Sequence, residues 1–170
     1  MEQIKWPFLK QTWGIEFESS KGAYLYTKDG RKILDAAGGA IVNNIGYGRE
    51  EVADAISRAV INNSYILPPF LTPEREALLD ELRNHWLPPH LTRIHLSSGG
   101  SEANESAVKL AIQYQASRGK PEKNIILTRS LSYHGTTLNM SGISGHEARK
   151  RGLESYVPSP TTIETPYPLR

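Results

Sequence analysis

The chain has 170 residues, 38% of them hydrophobic, which is enough to bury the core of about one domain. Lysine and arginine (20) nearly balance aspartate and glutamate (18), so the net charge of +2 gives no reason to expect nucleic acid or an anionic membrane as a partner. Cysteine is absent, which leaves no disulfide or thiolate metal site, and without a signal-like or membrane-length apolar stretch we expect a cytoplasmic protein with no bound metal.

The first 47 residues predict one hairpin within irregular surroundings. Residues 1–20 show no regular pattern, and their scattered aromatic residues are typical of a docking surface. Two short apolar runs, Tyr24–Tyr26 and Ile33–Leu34, flank Asp29-Gly30, and this arrangement predicts a β-hairpin. Residues 35–47 are rich in alanine, glycine and asparagine and predict a loop. The aromatic residues of the opening segment are Trp6, Phe8, Trp13 and Phe17.

Two amphipathic helices are predicted next. Apolar residues recur on one face of residues 48–61, and Asn62-Asn63 ends that helix. Thr72-Pro73-Glu74 combines a capping hydroxyl, a first-turn proline and an early acid, which indicates a second helix start. Pro88-Pro89 ends this helix. We expect its buried stripe to consist of Leu78, Leu82 and Trp86.

The stretch from Leu96 to Ala111 predicts a strand, a tight turn and a helix in direct succession. Ile94 and Leu96 resemble the end of a buried strand, and Ala103, Ala107 and Leu110 recur at helical spacing. A helix that opens on Gly100-Ser101 presents free backbone N–H groups and its positive dipole end, with no bulky side chain to block a phosphate. An ordinary strand-to-helix turn with serine caps explains these residues equally well.

A second strand and loop follow the helix. Residues 118–121 end the helix, Ile125–Leu127 predicts a buried strand, and residues 129–137 predict a loop. Strands that alternate with helices indicate an α/β fold with a parallel sheet, in which ligands bind beyond the carboxyl ends of the strands. Tyr133 could stack on a flat ring, and His134 could stack, hydrogen-bond or relay a proton. A packed tyrosine beside a surface histidine also fits these residues.

Three sequence blocks together resemble the class III (omega-type) aminotransferases, which are pyridoxal phosphate enzymes of fold type I. The first block runs from Gly22 to Asp35, the second is SGGSEANE from Ser98 to Glu105, and the third is YHGTT from Tyr133 to Thr137. The resemblance implies that Gly100 and Ser101 hold the cofactor phosphate, that Tyr133 stacks on the pyridine ring, and that His134 belongs to the same cofactor loop.

The resemblance also implies a domain division. Residues 1–47 correspond to a small-domain and interface segment, and residues 48–170 to the first part of the cofactor-binding large domain. The fold is therefore expected to be an incomplete, mostly parallel sheet with flanking helices, completed by another chain.

The family's Schiff-base lysine and the aspartate that pairs with the pyridine nitrogen lie beyond the equivalent of residue 170, as does an arginine that often binds the substrate carboxylate. We therefore expect no catalytic residue in this chain. A second polypeptide should bring the lysine and the aspartate, and two such heterodimers should pair around the active sites. The substrate should be a small amino acid or amine.

Two alternatives to a split aminotransferase subunit remain open. The chain could be a piece of one long aminotransferase, aminomutase or racemase, or a non-catalytic regulatory subunit that kept the fold. A nucleotide phosphate loop at residues 98–101 is disfavoured, because the stretch lacks the Gly-Lys-Ser/Thr of a Walker loop and is too short for a dinucleotide fingerprint.

Overall fold

The computed structural model describes residues 14–166, and the chain divides into two compact units between Trp86 and Leu87. The aromatic residues Trp6, Phe8 and Trp13, which we interpreted as a docking surface, lie outside the described residues.

The first unit contains a three-stranded antiparallel sheet in the order β1 (Phe17–Lys21), β2 (Tyr24–Thr27) and β3 (Lys32–Leu34). The predicted hairpin is confirmed, with Tyr24 opposite Leu34 and Leu25 opposite Ile33. Strand β1 was not predicted, because its sequence FESSK lacks the alternation of apolar and polar residues that marks a strand.

The hairpin turn is stabilised by polar side chains. The Arg31 backbone amide donates to the buried Thr27 hydroxyl at 2.9 Å, and the Arg31 Nε donates to both Asp29 oxygens at 3.0 and 2.9 Å. The Arg31 guanidinium and the Thr27 hydroxyl lower the pKa of Asp29 to about 2. Gly30 supplies the positive φ of 84° that the turn requires.

The predicted loop at residues 35–47 contains one unusual turn, α1 (Gly38–Ile41). Its backbone is left-handed. This conformation is costly for L-residues such as Ala40 and Ile41, at about 1–2 kcal/mol each. The Asp35 carboxylate stabilises the turn by accepting from the Gly39 amide at 2.7 Å and from the Tyr47 hydroxyl at 2.8 Å. These donors, the Tyr47 hydroxyl foremost, lower the pKa of Asp35.

Both predicted helices are present as α2 (Glu50–Asn62) and α3 (Pro73–Glu81), and a π-helical turn (Leu82–Trp86) extends the second. The Thr72 hydroxyl caps α3 by accepting from the Arg75 amide at 3.3 Å. The predicted buried stripe is wrong, since Leu78 is 45% exposed and Trp86 is 73% exposed. An amphipathic face is buried only where another element covers it, and no described element of this unit covers this one.

The second unit contains α4 (Gly100–Ser117), β4 (Leu127–Arg129), α5 (Leu138–Ile143), α6 (Glu147–Lys150) and β5 (Thr161–Ile163). Strands β4 and β5 are parallel, with Leu127 opposite Thr161. Met140 and Ile143 of α5 are buried, as are Thr128 of β4 and Ser144. The unit is a partial α/β fold with a small parallel sheet and helices, as the sequence pattern predicts.

Two strand predictions in the second unit need correction. Residues 94–96 form no strand in the described part of the chain, and Leu96 is 49% exposed. The strand expected at Ile125–Leu127 begins only at Leu127, whose side chain is 63% exposed rather than buried. Both differences have the same reason. A strand exists only where the backbone forms hydrogen bonds to a neighbouring strand, and among residues 14–166 the only partner of β4 is β5, which begins opposite Leu127. Within this range no helix is long and apolar enough to span a membrane.

Candidate functional site

The candidate site begins at the N-terminus of α4. Helix geometry leaves the amides of Gly100, Ser101 and Glu102 without an acceptor one turn earlier. A Cβ placed on Gly99 or Gly100 meets no heavy atom within 4 Å, so the space in front of this helix end is open. The partial positive charge of an 18-residue helix and three free donors can hold an anion such as a phosphate there.

The segment before α4 is fixed by the helix itself. The Glu102 carboxylate reaches back and accepts a hydrogen bond from the Ser98 amide at 2.9 Å. This is the geometry by which an acidic side chain in the first turn satisfies a donor that precedes the helix. Glu102 therefore holds the entry of the chain into α4 without filling the space beside Gly100.

Ser101 joins the start of α4 to the loop that follows β4. Its Oγ accepts a hydrogen bond from the Thr136 amide at 3.0 Å, which leaves the hydroxyl proton of Ser101 available to another acceptor. Gly135 lies directly against Ser101, since a Cβ at Gly135 would stand 2.5 Å from Ser101 Oγ. With a φ of 144°, Gly135 has a backbone conformation and a proximity to Ser101 that only glycine tolerates.

Asn104 and Glu105 also join α4 to the same loop and to the first turn of α5. The Asn104 side-chain amide donates to the His134 carbonyl at 2.7 Å. The Glu105 carboxylate accepts from the Thr137 hydroxyl at 2.6 Å and from the Asn139 amide at 2.8 Å. These two donors, Thr137 first, lower the pKa of Glu105. Ser101, Asn104 and Glu105 share one helix face because they are three and four residues apart.

The His134 side chain is held against β4. Its Nε2 lies 2.8 Å from the hydroxyl of the buried Thr128, and its backbone amide donates to the Ser144 hydroxyl at 2.9 Å. The ring is half-buried and hydrogen-bonded to the sheet. Among the roles considered for His134, this geometry directly provides hydrogen bonding.

Tyr133 is the most accessible aromatic group of the loop, at 54% exposure. The rings of Tyr133 and His146 make an edge-to-face contact, with centroids 6.2 Å apart, and the Arg149 guanidinium lies over the Tyr133 ring, 5.1 Å from its centroid. These contacts restrict the orientation of the ring while much of its surface stays open. A flat ligand can stack on such a side chain.

The structure therefore brings the start of α4 and the loop of Tyr133 and His134 together, as their order on the chain predicts. The supporting contacts were not foreseen. The sequence motif contains Asn104 and Glu105, but no role was assigned to them. Their spacing of three and four residues from Ser101, which places all three on one helix face, was the signal that could have identified them. Their loop partners are 30 or more residues away in sequence.

Comparison with known proteins gives one consistent result. The sequence profile of the family described as aminotransferase class-III matches residues 10–170. A probable aminotransferase of Mycobacterium tuberculosis is 37% identical over 138 residues, which are 81% of this chain and 29% of that protein. The fold is that of solved transaminases, among them a thermostable (S)-enantioselective omega-transaminase from Thermomicrobium roseum (TM-score 0.84, 28% identity, 92% of this chain and 35% of that one).

A second solved structure extends the comparison of folds. An amine transaminase from an uncultivated Pseudomonas species, solved in its PLP-bound form, matches with a TM-score of 0.88 at 24% identity. The match covers 100% of this chain and 40% of that one. The chain thus spans about a third of the length of the proteins that it matches.

Proposed function

This chain belongs to the class III aminotransferase family, and from that premise we propose that it forms the phosphate-binding and ring-stacking part of a pyridoxal phosphate site for amino-group transfer. In this proposal Gly100 and Ser101 hold the cofactor phosphate, Tyr133 stacks on the pyridine ring, and His134 positions the loop that carries Tyr133.

The residues at the start of α4 fit a phosphate in charge, donors and space. The amides of Gly100, Ser101 and Glu102 are free donors at the positive end of the helix, and no side chain of Gly99 or Gly100 occupies the space before them. The hydrogen bond from the Thr136 amide to Ser101 Oγ carries the proposal, because it leaves the Ser101 proton for an acceptor and joins both motifs at one point.

The loop residues fit the ring of the same ligand. Tyr133 offers an accessible aromatic surface, and the hydrogen bond between His134 and Thr128 ties the loop to the sheet. Bound pyridoxal phosphate supplies an electron-withdrawing ring that stabilises negative charge on the substrate carbon attached to nitrogen. In this proposal the residues of this chain bind and orient that ring, whereas the substrate bond that reacts is set by how the substrate is held against the ring, for which most of the residues lie outside this chain.

We further propose that polypeptide outside these 170 residues completes the enzyme. This chemistry needs a lysine amine and an acid near the ring nitrogen, and we assign no residue of this chain to either role. The exposed apolar side chains of α4 support the proposal, since Leu110 is 68% exposed and Tyr114 is 54% exposed. A cytoplasmic second subunit, with two heterodimers pairing, is our hypothesis; the remainder of one longer chain is the alternative.

The test of the phosphate site uses the complete enzyme, with cofactor affinity measured by absorbance titration. Replacement Ser101→Asp places a negative charge against the phosphate and should raise the dissociation constant by about 100-fold or more. Replacement Ser101→Ala removes the hydroxyl, and with it both the proposed bond to the phosphate and the bond from the Thr136 amide, and it should cost on the order of 1 kcal/mol, roughly fivefold in affinity.

Ser117→Asp, at the opposite end of the same helix, is the matched control for the added charge. Ser117 donates only to the Tyr114 carbonyl among the described residues, so cofactor affinity should not change. Wild-type affinity in the Ser101→Asp enzyme would contradict a phosphate at this helix end.

A further inference from the structure

Glu105 is a charged side chain near the candidate site that the proposed function does not use. It lies in the second turn of α4, is half-buried, and directs both carboxylate oxygens to other parts of the unit. One oxygen accepts from the Thr137 hydroxyl at 2.6 Å and the other from the Asn139 amide at 2.8 Å. We refer to Glu105, Thr137 and Asn139 as the Glu105 bridge.

The Glu105 bridge holds the downstream end of the loop that carries Tyr133. Thr137 is the cap of α5, where its hydroxyl also accepts from the Met140 amide at 3.4 Å. Met140 is fully buried, so this end of the loop is anchored both to α4 and to the core of the unit. The loop therefore cannot shift along α4 without breaking the Glu105 bridge.

The remaining contacts of the loop act further upstream. His134 bonds to Thr128 on the sheet and to Asn104 on α4, and the Thr136 amide bonds to Ser101. Thr136 and Thr137 are consecutive, so Ser101 and Glu105 each hold one of two neighbouring residues. The hydrogen bond from the Thr136 amide leaves the Ser101 hydroxyl proton available to a phosphate. The hydrogen bond between Thr137 and Glu105, one helical turn later, supports it.

We propose that Glu105 is a positioning residue that acts through Thr137 and Asn139. It fixes the Tyr133–Gly135 loop at a set distance from the phosphate-binding end of α4, and so determines the orientation of the stacked cofactor ring. This inference rests on the proposed function, because it assigns a role to Glu105 in the same site.

The chemistry of the bridge identifies informative substitutions. Glu105→Ala removes both acceptors. In Glu105→Gln, the Gln oxygen can accept from Thr137 while its amide donates to the oxygen of a rotated Asn139 side chain, so both connections can be rebuilt. Glu122→Ala is the matched control, since Glu122 is an exposed carboxylate in the same unit whose side chain makes no hydrogen bond within residues 14–166.

The test measures the affinity for pyridoxal phosphate and the circular dichroism of its visible band in the complete enzyme. Glu105→Ala should raise the dissociation constant about tenfold and reduce the band's dichroism at saturation at least about twofold. The ellipticity at saturation reports the orientation of the ring in folded enzyme with bound cofactor. A variant that is only less stable would therefore show the wild-type ellipticity per folded molecule. Glu105→Gln should stay within about threefold of wild type with normal dichroism, and Glu122→Ala should equal wild type.

A Glu105→Ala enzyme with wild-type affinity and dichroism would overturn the inference. If that variant does not fold, Asn139→Ala removes one arm of the bridge and should still lower the dichroism, and a wild-type band there would overturn the inference equally. Ser101→Asp measured in parallel separates the two proposals. Weak binding in Ser101→Asp with no effect of Glu105→Ala rejects only the positioning role, whereas wild-type binding in Ser101→Asp rejects the cofactor site itself.

Discussion

Tyr133 combines restricted orientation with an accessible surface. The edge contact with His146 and the Arg149 guanidinium near its ring limit how the side chain can rotate, yet 54% of the residue remains exposed. An aromatic side chain held in this way loses little conformational freedom when a ligand stacks on it. This property supports the proposed stacking role more directly than the Tyr-His-Gly sequence does.

Tyr133→Ala should raise the dissociation constant for pyridoxal phosphate about fivefold to tenfold and should alter the cofactor's absorption band, because the stacking surface is lost. Tyr133→Phe keeps the aromatic face and serves as the control, with affinity close to wild type. The measurement is an absorbance titration of the complete enzyme. Unchanged spectra and affinity in Tyr133→Ala would remove Tyr133 from the site.

The lowered pKa of the Glu105 carboxyl predicts how the stability of the protein depends on pH. Its pKa in the folded chain lies below the ordinary value of 4.5 because Thr137 and Asn139 donate to the ionised form. A carboxyl whose pKa is lower in the folded state stabilises the protein at pH values above its ordinary pKa, and this stabilisation is lost as the pH falls through the folded pKa. Melting temperatures measured from pH 7 down to pH 3 should therefore fall less steeply in Glu105→Gln than in wild type. Parallel curves for the two proteins would contradict the prediction.

At the scale of elements, local sequence signals predicted the hairpin and the helices α2, α3 and α4, but not the short helices α5 and α6. The cap and proline of Thr72-Pro73 are confirmed as the start of α3, and the Asp29-Gly30 turn is confirmed between β2 and β3. These signals act over a few residues, so they can be recognised without knowledge of the fold. The left-handed turn at Gly38–Ile41 could not be predicted, because it depends on Asp35 accepting from Gly39 and Tyr47.

The packing of α5 makes a prediction about stability. A Cβ on Gly142 would lie 2.5 Å from Pro158 Cδ and 2.8 Å from the Pro158 carbonyl oxygen, which is too close without displacement of the backbone. Gly142→Ala should lower the free energy of unfolding by about 1–3 kcal/mol, as overpacking of an interior does. Ser141→Ala, at the neighbouring helix position, is the control and should change it by less than about 1 kcal/mol. Equal denaturation midpoints for the two variants would contradict this packing.

At the scale of the whole molecule, the main feature is the amount of apolar surface that the described elements leave exposed. Met140 and Ile143 are buried, but Leu78, Trp86 and Leu110 are substantially exposed in a chain that spans about a third of its relatives. Periodicity identifies an apolar face but does not identify what covers it, which is why the stripe on α3 was wrongly expected to be buried. The same argument explains why Ile94–Leu96 lacks the strand that its composition indicates.

The site shows a similar division between what sequence can and cannot predict. The order of the two motifs on an expected α/β pattern predicted that Ser101 and the loop of Tyr133 would be neighbours, because ligands bind beyond the carboxyl ends of the strands. The two segments do meet, through the hydrogen bond from the Thr136 amide to Ser101 Oγ, although residues 94–96 form no strand. The partners of Asn104 and Glu105 were not predictable, since those contacts join residues 30 or more positions apart. The roles of Gly100, Ser101, Tyr133 and His134 in binding the cofactor remain predictions.

The origin of the completing polypeptide can be decided separately. The intact mass of the native protein and the reading frame beyond Arg170 distinguish a separate subunit from the remainder of one chain. A native mass equal to that of a longer single chain would contradict the split-subunit hypothesis. This result leaves the cofactor-site proposal intact, because that proposal concerns only α4 and the loop that follows β4.

The central claim is that this chain supplies the phosphate-binding and ring-stacking part of a site that other polypeptide completes. The most direct measurement is a titration of pyridoxal phosphate into the 170-residue chain alone and into the complete enzyme, followed by visible absorbance and amino-group transfer. We predict a bound-cofactor band and transfer activity in the complete enzyme, and binding at least about 100-fold weaker by the chain alone. Equally tight binding by the isolated monomeric chain would contradict the claim.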